Sequence, residues 1–203
     1  MNPWETIALE DYERHMQLED VKQLQTLNSI MKGQFEDYDY VNTVMILGVA
    51  GGNGLEHLQG HKFSKVYGVD VNTDYLKAVE NRYNNEKLEC LNLDLLSEAD
   101  KLPQADLVIA NLFIEYVGYD AFIKALQIVN PKHVSCAIQL NLEDTNWVSD
   151  SPYIHSFDCL DEVHHQIDAA GLQQAMAGYE MVMHDIYKLP NGKALERIDF
   201  KGR

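Results

Sequence analysis

Directly after the apolar run Val44-Met45-Ile46-Leu47, small residues crowd together: Gly48, Ala50, Gly51, Gly52 and Gly54 fall within seven positions. The glycines permit unusual backbone angles and let the main chain lie against a bound molecule. Asp70 ends the next apolar run, Val66-Tyr67-Gly68-Val69, about 20 residues further on. A glycine turn after one strand and a carboxylate after the next make the pattern of a nucleoside-binding βαβ unit, in which the carboxylate accepts hydrogen bonds from ribose hydroxyls. Taken singly, the same residues would serve a tight turn and a solvated aspartate. Their common register favours the nucleoside.

Groups able to move a proton lie elsewhere. Tyr12 and His15 are three apart in a helix-like stretch and can face one pocket, and imidazole suits proton transfer near neutral pH. The plainer reading makes both half-buried packing residues. Asp161, Glu162, His164 and His165 form a second cluster, with Asp161 and His165 one helical turn apart. No third ligand is placed nearby, so a solvated helix face is the simpler reading and no metal is assigned.

The dinucleotide fingerprint G-x-G-x-x-G fails from Gly48, where Ala50 and Asn53 take the second and third glycine places, and from Gly52, where His57 stands third. A phosphate-cradling G-x-x-x-x-G-K-[S/T] is absent. Gly48, Ala50 and Gly52, with Gly54 as a further small residue, instead resemble motif I of the class I (Rossmann-like) S-adenosylmethionine-dependent methyltransferases, roughly acidic-x-G-x-G-x-G. Two departures stand out. Ala50 replaces the central glycine, and Ile46-Leu47 stand where an acidic residue often precedes the first, so the amino acid part of the ligand must be held from elsewhere.

The resemblance covers roughly residues 40 to 200 and implies S-adenosyl-L-methionine as cofactor. It implies that the main chain at Gly48, Ala50, Gly51, Gly52 and Gly54 approaches the methionine part and the ribose. Asp70 would bind the ribose diol, with Val71 against the adenine. Asp94 would accept from the adenine amino group, with the backbone of Leu95 on the ring nitrogen. Asn111, followed by Leu112, would face the ligand's amino group and the methyl path. Asp94 otherwise reads as a helix cap and Asn111 as a turn residue.

Methyl transfer is an in-line displacement at a sulfonium carbon, and much of its acceleration comes from positioning the nucleophile within about 3–3.5 Å. A base is needed only where the nucleophile carries a proton to lose. Asn111 lacks the Pro-Pro-aromatic sequel of the adenine and glutamine methyltransferases, and Asn111-Leu112-Phe113-Ile114-Glu115-Tyr116 resembles the small-molecule branch more. That implies Glu115 and Tyr116 as catalytic candidates beside His15. The long stretch 143–155 would shape an acceptor site, with Trp147, Tyr153 and His155 joining Tyr12. Metal-dependent catechol-type relatives use acidic residues where Asn111 and Asn141 stand here.

Strand and helix signals alternate: strands at about 42–48, 65–70, 88–94, 105–112 and 133–141, and helices at 8–36, 53–59, 73–84, 119–129 and 158–170. Gly33 marks the exit of the first helix and Gly171 the C′ position of the last. Two β-like runs then flank Pro190-Asn191-Gly192, a hairpin signal. The expected fold is α/β, a three-layer αβα sandwich whose doubly wound, mostly parallel seven-stranded sheet ends in an antiparallel hairpin. Residues 1–203 would be one methyltransferase domain, with 1–40 as a helical lid and 41–203 as the core.

The chain has 203 residues, a formal net charge of −16, 46% hydrophobic and 24% charged residues. Clustered Lys and Arg, needed to release counterions from nucleic acid, are missing, so a nucleic-acid partner is disfavoured. No apolar run approaches the ~18 residues of a membrane span, and no secretory signal is visible. Three widely spaced cysteines (Cys90, Cys136, Cys159) read as small core hydrophobes of a reducing compartment, hence the cytoplasm. The leading expectation is a methyltransferase acting on a small-molecule acceptor. An NAD-type oxidoreductase and a non-catalytic S-adenosylmethionine sensor or partner module are the alternatives. No feature assigns the acceptor atom or an oligomeric state.

Overall fold

The computed structural model describes residues 2–141 and 146–203. Glu143, Asp144 and Thr145, at the start of the expected acceptor loop, lie outside the described residues. Seven strands form one sheet: β1 (Thr43–Leu47), β2 (Lys65–Asp70), β3 (Leu88–Asn92), β4 (Leu107–Asn111), β5 (His133–Leu140), β6 (Tyr179–Lys188) and β7 (Ala194–Gly202). Their order is β3-β2-β1-β4-β5-β7-β6. The first five in this order run parallel, and β7 then pairs antiparallel with both β5 and β6. The sheet is therefore the seven-stranded, mostly parallel one expected, finished by the hairpin around Asn191-Gly192.

Period-two alternation sends side chains to opposite faces of the sheet. Met45 and Leu47 of β1, with Val108 and Ala110 of β4, join the core of one face. Val44 and Ile46, with Leu107 and Ile109, join the core of the other. Burial on both faces explains why these strands read as unbroken apolar runs. Helices α1 (Leu9–Gln17), α2 (Gln23–Asp37), α3 (Thr73–Arg82), α4 (Leu95–Glu98), α5 (Ile114–Val129) and α6 (Ala169–Ala175) cover them.

Several expected boundaries move. The apolar stripe of residues 8–36 is two helices, separated at Leu18 (ψ 142) and by the left-handed Lys22 (φ 50). The expected helix at 53–59 is only a 3₁₀ turn, Leu55–Leu58. Gly33 lies inside α2, where a Cβ would stand 2.9 Å from the Arg197 guanidinium. Helix α5 starts at Ile114, earlier than expected, and kinks at Gly118 (φ 73, ψ 171). The expected helix at 158–170 is replaced by a 3₁₀ segment, Ile154–Leu160, and an irregular stretch tied down when the His165 N–H donates to the Glu115 carbonyl at 2.6 Å. Gly171 is no C′ residue: it sits in the first turn of α6, and its N–H donates to the capping Asp168 carboxylate at 2.7 Å. Cys159 is exposed rather than in the core. Among the described residues, no helix is long and apolar enough to cross a membrane.

A buried polar network joins α2 to the sheet. Arg197 Nε and Nη2 donate to the two oxygens of Asp199 at 3.1 and 2.6 Å. Ser135 Oγ and Tyr38 Oη donate to the same carboxylate, and Gln34 Nε2 donates to Ser135 at 2.8 Å. Removing one member of a buried ion pair strands the other charge. Arg197→Met is expected to lower unfolding free energy by about 3 kcal/mol in urea denaturation; a loss below about 1 kcal/mol would contradict the assignment.

Candidate active site

Doubly wound sheets bind ligands at the carboxyl ends of their strands, where the strand order reverses. Here the chain runs from β1 out to β3, then returns to place β4 on the other side of β1. A cleft of about 650 Å³, counting its mouth, opens at this point. Gly48 and Ala50 reach it from β1, Asp70 and Val71 from β2, Asp94 and Leu95 after β3, and Asn111 and Leu112 from β4. Gly51, Gly52 and Gly54 do not line it. A Cβ on Gly52 would lie 2.7 Å from Tyr83 and one on Gly54 2.6 Å from Met31, while Gly51 faces Glu13 and Arg82. These three glycines make room for helix packing.

The Asp70 carboxylate ties two strand ends together. Its Oδ2 accepts from the Ala50 N–H and its Oδ1 from the Asn72 N–H, both at 2.9 Å. Burial pushes its pKa up to about 6, against the lowering effect of those amides. Each oxygen keeps a lone pair for a further donor. The Tyr75 hydroxyl, on a side chain only 2% exposed in the same cleft, has no hydrogen-bond partner. Two non-glycine residues that line the cleft hold positive φ, Ala50 (47) and Leu112 (50), and such strain persists where the surroundings over-determine it. The Phe113 ring lies over Gly48, where a Cβ would be 2.6 Å from its Cδ2.

Two residues expected to contact the cofactor have structural partners here. Asp94 caps α4, accepting from the Leu96 N–H at 3.0 Å. The Asn111 carboxamide is closed on Gln34, accepting from its Nε2 and donating to its Oε1, each at 2.9 Å.

A second cleft, about 540 Å³ counting its mouth, adjoins the first and shares Trp4, Tyr12, Leu112 and Tyr116 with it. Trp4 meets Tyr116 edge-on at 4.8 Å and Tyr12 at 5.9 Å, so these side chains form a partition. His15, Glu115 and Trp147 line the second cleft. Tyr153 and His155 line neither: His155 is exposed beside Asp158, and Tyr153 packs with Phe157 and Leu160.

His15 Nδ1 lies 2.8 Å from Ser151 Oγ, and its ring packs on Phe157 at 4.8 Å. Burial, and secondarily Lys193, lowers its pKa to about 4, so the ring is neutral at pH 7. Glu115 is 4% exposed; its Oε1 accepts from the Gln139 N–H at 2.9 Å, and its Oε2 has no partner. Burial raises its pKa to about 7. Burial also drives the Tyr116 hydroxyl upward.

Sequence reasoning did not select Trp4, Tyr75, Phe113, Gln139 or Phe157. Asn2-Pro3-Trp4-Glu5 does carry a legible capping box, which the structure forms, but local sequence cannot say where that turn docks. His164 stacks on Trp147 at 4.2 Å, and Asp161 accepts from Trp147 Nε1 at 2.9 Å. Their cluster thus seats an aromatic wall. Among the described residues, no group of three or more His, Cys, Asp or Glu is placed to hold a metal.

Two measurements check these environments. Ala50→Gly relieves a left-handed alanine and is expected to stabilise the fold by about 0.5–1 kcal/mol in urea denaturation; destabilisation would contradict the strain. The Glu115 carboxyl is raised from 4.5 to about 7 by folding, so its contribution is fully present below pH 4.5 and is lost as pH rises through 7. The stability of Glu115→Gln relative to wild type should therefore grow by about 3 kcal/mol over that interval; a pH-independent difference would contradict the burial.

Residues 46–132 match the family model described as a methyltransferase domain. Comparison with curated protein sequences finds no match. The magnesium protoporphyrin IX methyltransferase ChlM from Synechocystis PCC 6803, solved with bound SAM, superposes with a TM-score of 0.68 at 11% identity, covering 98% of this chain and 93% of that one. The N-methyltransferase NodS from Bradyrhizobium japonicum WM9, in complex with S-adenosyl-L-homocysteine, superposes at 0.67 with 13% identity, covering 100% and 99%. Residues 46–132 thus resemble a methyltransferase domain, and the chain has the Rossmann-like fold of these two methyltransferases.

Proposed function

We propose that this protein transfers a methyl group from S-adenosyl-L-methionine to a small-molecule acceptor. The observation that carries this reading is the pair of adjoining clefts divided by Trp4, Tyr12, Leu112 and Tyr116. One has features suited to an adenosyl group: a carboxylate with free lone pairs, an orphaned tyrosine hydroxyl, and the apolar side chains of Val71 and Leu95. The other is walled by aromatic side chains and contains a carboxyl group with one unpartnered oxygen.

When bound, the cofactor would supply a methyl carbon on a positively charged sulfur. The remaining work falls to side chains of this chain. Asp70 and Tyr75 would hold the ribose, and Val71 and Leu95 would hold the adenine. The main chain at Gly48 and Ala50, with the Phe113 ring beside Gly48, would approach the methionine part. Trp4, Tyr12 and Tyr116 would exclude water at the junction, so that positioning there supplies much of the acceleration. The amino-terminal turn and α1 give Trp4, Tyr12, His15 and Met16 to the wall of the second cleft, which suits a compact acceptor rather than a polymer.

Isothermal calorimetry tests this. The protein should bind S-adenosylhomocysteine at one site and fail to bind NADH, and Asp70→Ala should weaken the former by more than about tenfold, about 1.4 kcal/mol. No binding to the wild-type chain, or unchanged affinity in a folded Asp70→Ala variant, would overturn the reading.

A further inference from the structure

The second cleft holds an unexplained group. Glu115 Oε2 is buried, with no hydrogen-bond partner, and its sister oxygen is fixed by the Gln139 amide at 2.9 Å. The carboxylate cannot swing to solvent without giving up that bond. Buried polar atoms are almost always paired, and an unpaired carboxylate oxygen is among the costliest exceptions. Its neighbours do not supply a cation. Among the described residues, those lining the cleft include no lysine or arginine. The imidazoles of His15 and His164 are held neutral by burial, each lowered to about 4. Lys193, beside the Trp147 wall, donates to the carbonyls of Asn146 and Trp147 at 2.8 and 2.7 Å.

Aromatic rings surround the same space. Tyr116 meets Trp147 edge-on at 6.1 Å, and Trp4 at 4.8 Å, while Trp147 is braced by its stack on His164. Aromatic faces and a carboxyl group that a paired cation would hold ionised make a cage for an ammonium ion. An anionic acceptor would face an unpaired carboxylate in a low dielectric. The formal charge of −16 also draws cations toward the surface.

We propose that the acceptor is a small primary or secondary amine, bound as its ammonium with Glu115 Oε2 as the counter-ion and Trp4, Tyr116 and Trp147 as the walls. This rests on the methyltransferase reading above. The carboxylate accepts one N–H proton and becomes a carboxylic acid, which frees the nitrogen lone pair. That pair forms the new N–C bond while the S–C bond breaks and its electrons return to sulfur. The products are a methylated ammonium, a neutral thioether and, after the carboxyl proton passes to water, one released proton.

The test is calorimetric binding in saturating S-adenosylhomocysteine, using phenethylamine, tryptamine and 1,4-diaminobutane against 2-phenylethanol and 3-phenylpropionate. At least one amine should bind about tenfold or more tighter than 2-phenylethanol, and 3-phenylpropionate should not bind. Glu115→Gln should lose about tenfold or more in amine affinity while keeping its affinity for S-adenosylhomocysteine. Binding of S-adenosylhomocysteine without preference for any amine, or amine affinity unchanged in Glu115→Gln, would overturn this proposal alone. Failure to bind S-adenosylhomocysteine would overturn the methyltransferase reading with it. The wild-type contrast between amine and alcohol decides the matter even where the variant does not fold.

Discussion

The structure depends on the parallel register of β1 between β2 and β4. Leu47 pairs with Val69 on one side and with Ala110 on the other, which brings three strand ends level. Just past that level the Gly48 and Val49 N–H groups still donate to the Val69 carbonyl, and the amides beyond need new partners. Asp70 supplies two of them, bridging the end of β1 to the start of α3 through Ala50 and Asn72. The same carboxylate that closes the sheet thus faces the cleft with lone pairs left over. A structural duty and the proposed ligand duty thus fall on one group.

The site is costly to build, and the cost is spread around it. Ala50 and Leu112 are held in left-handed conformations, Glu115 and Tyr75 have buried polar atoms without partners, and Asp70 is pushed toward neutrality by burial. Such features persist only when the surrounding packing is strong. That packing is present: both faces of the central strands are fully buried, and the Arg197–Asp199 network locks α2 against β5 and β7. Gln34 extends the same network to Asn111 at the cleft, so the rigidity of the sheet reaches the site through hydrogen bonds.

What could be read in advance follows from what is local. Strands buried on both faces appear as apolar runs, and Asn191-Gly192 marks its hairpin, because these signals depend on a few neighbouring residues. The strand-end residues Asp70, Asp94 and Asn111 were legible because topology alone brings such positions to one crevice. The three later glycines misled because a missing Cβ serves helix packing as well as ligand approach, and only contacts with Tyr83, Met31 and Arg82 distinguish the two. The segment 161–168 has helix-like composition but is held by Glu115 and Trp147, which are distant in sequence. The second cleft was least legible, since Trp4, Gln139, Phe157 and His164 meet there only through the fold.

The central claim is that a cofactor cleft and an acceptor cleft meet at the partition formed by Tyr12 and Tyr116. A crystal structure with S-adenosylhomocysteine tests it most directly. The account predicts ribose hydroxyls on the Asp70 carboxylate, adenine between Val71 and Leu95, and the sulfur turned toward that partition. A ligand bound elsewhere, or one whose ribose does not touch Asp70, would contradict it.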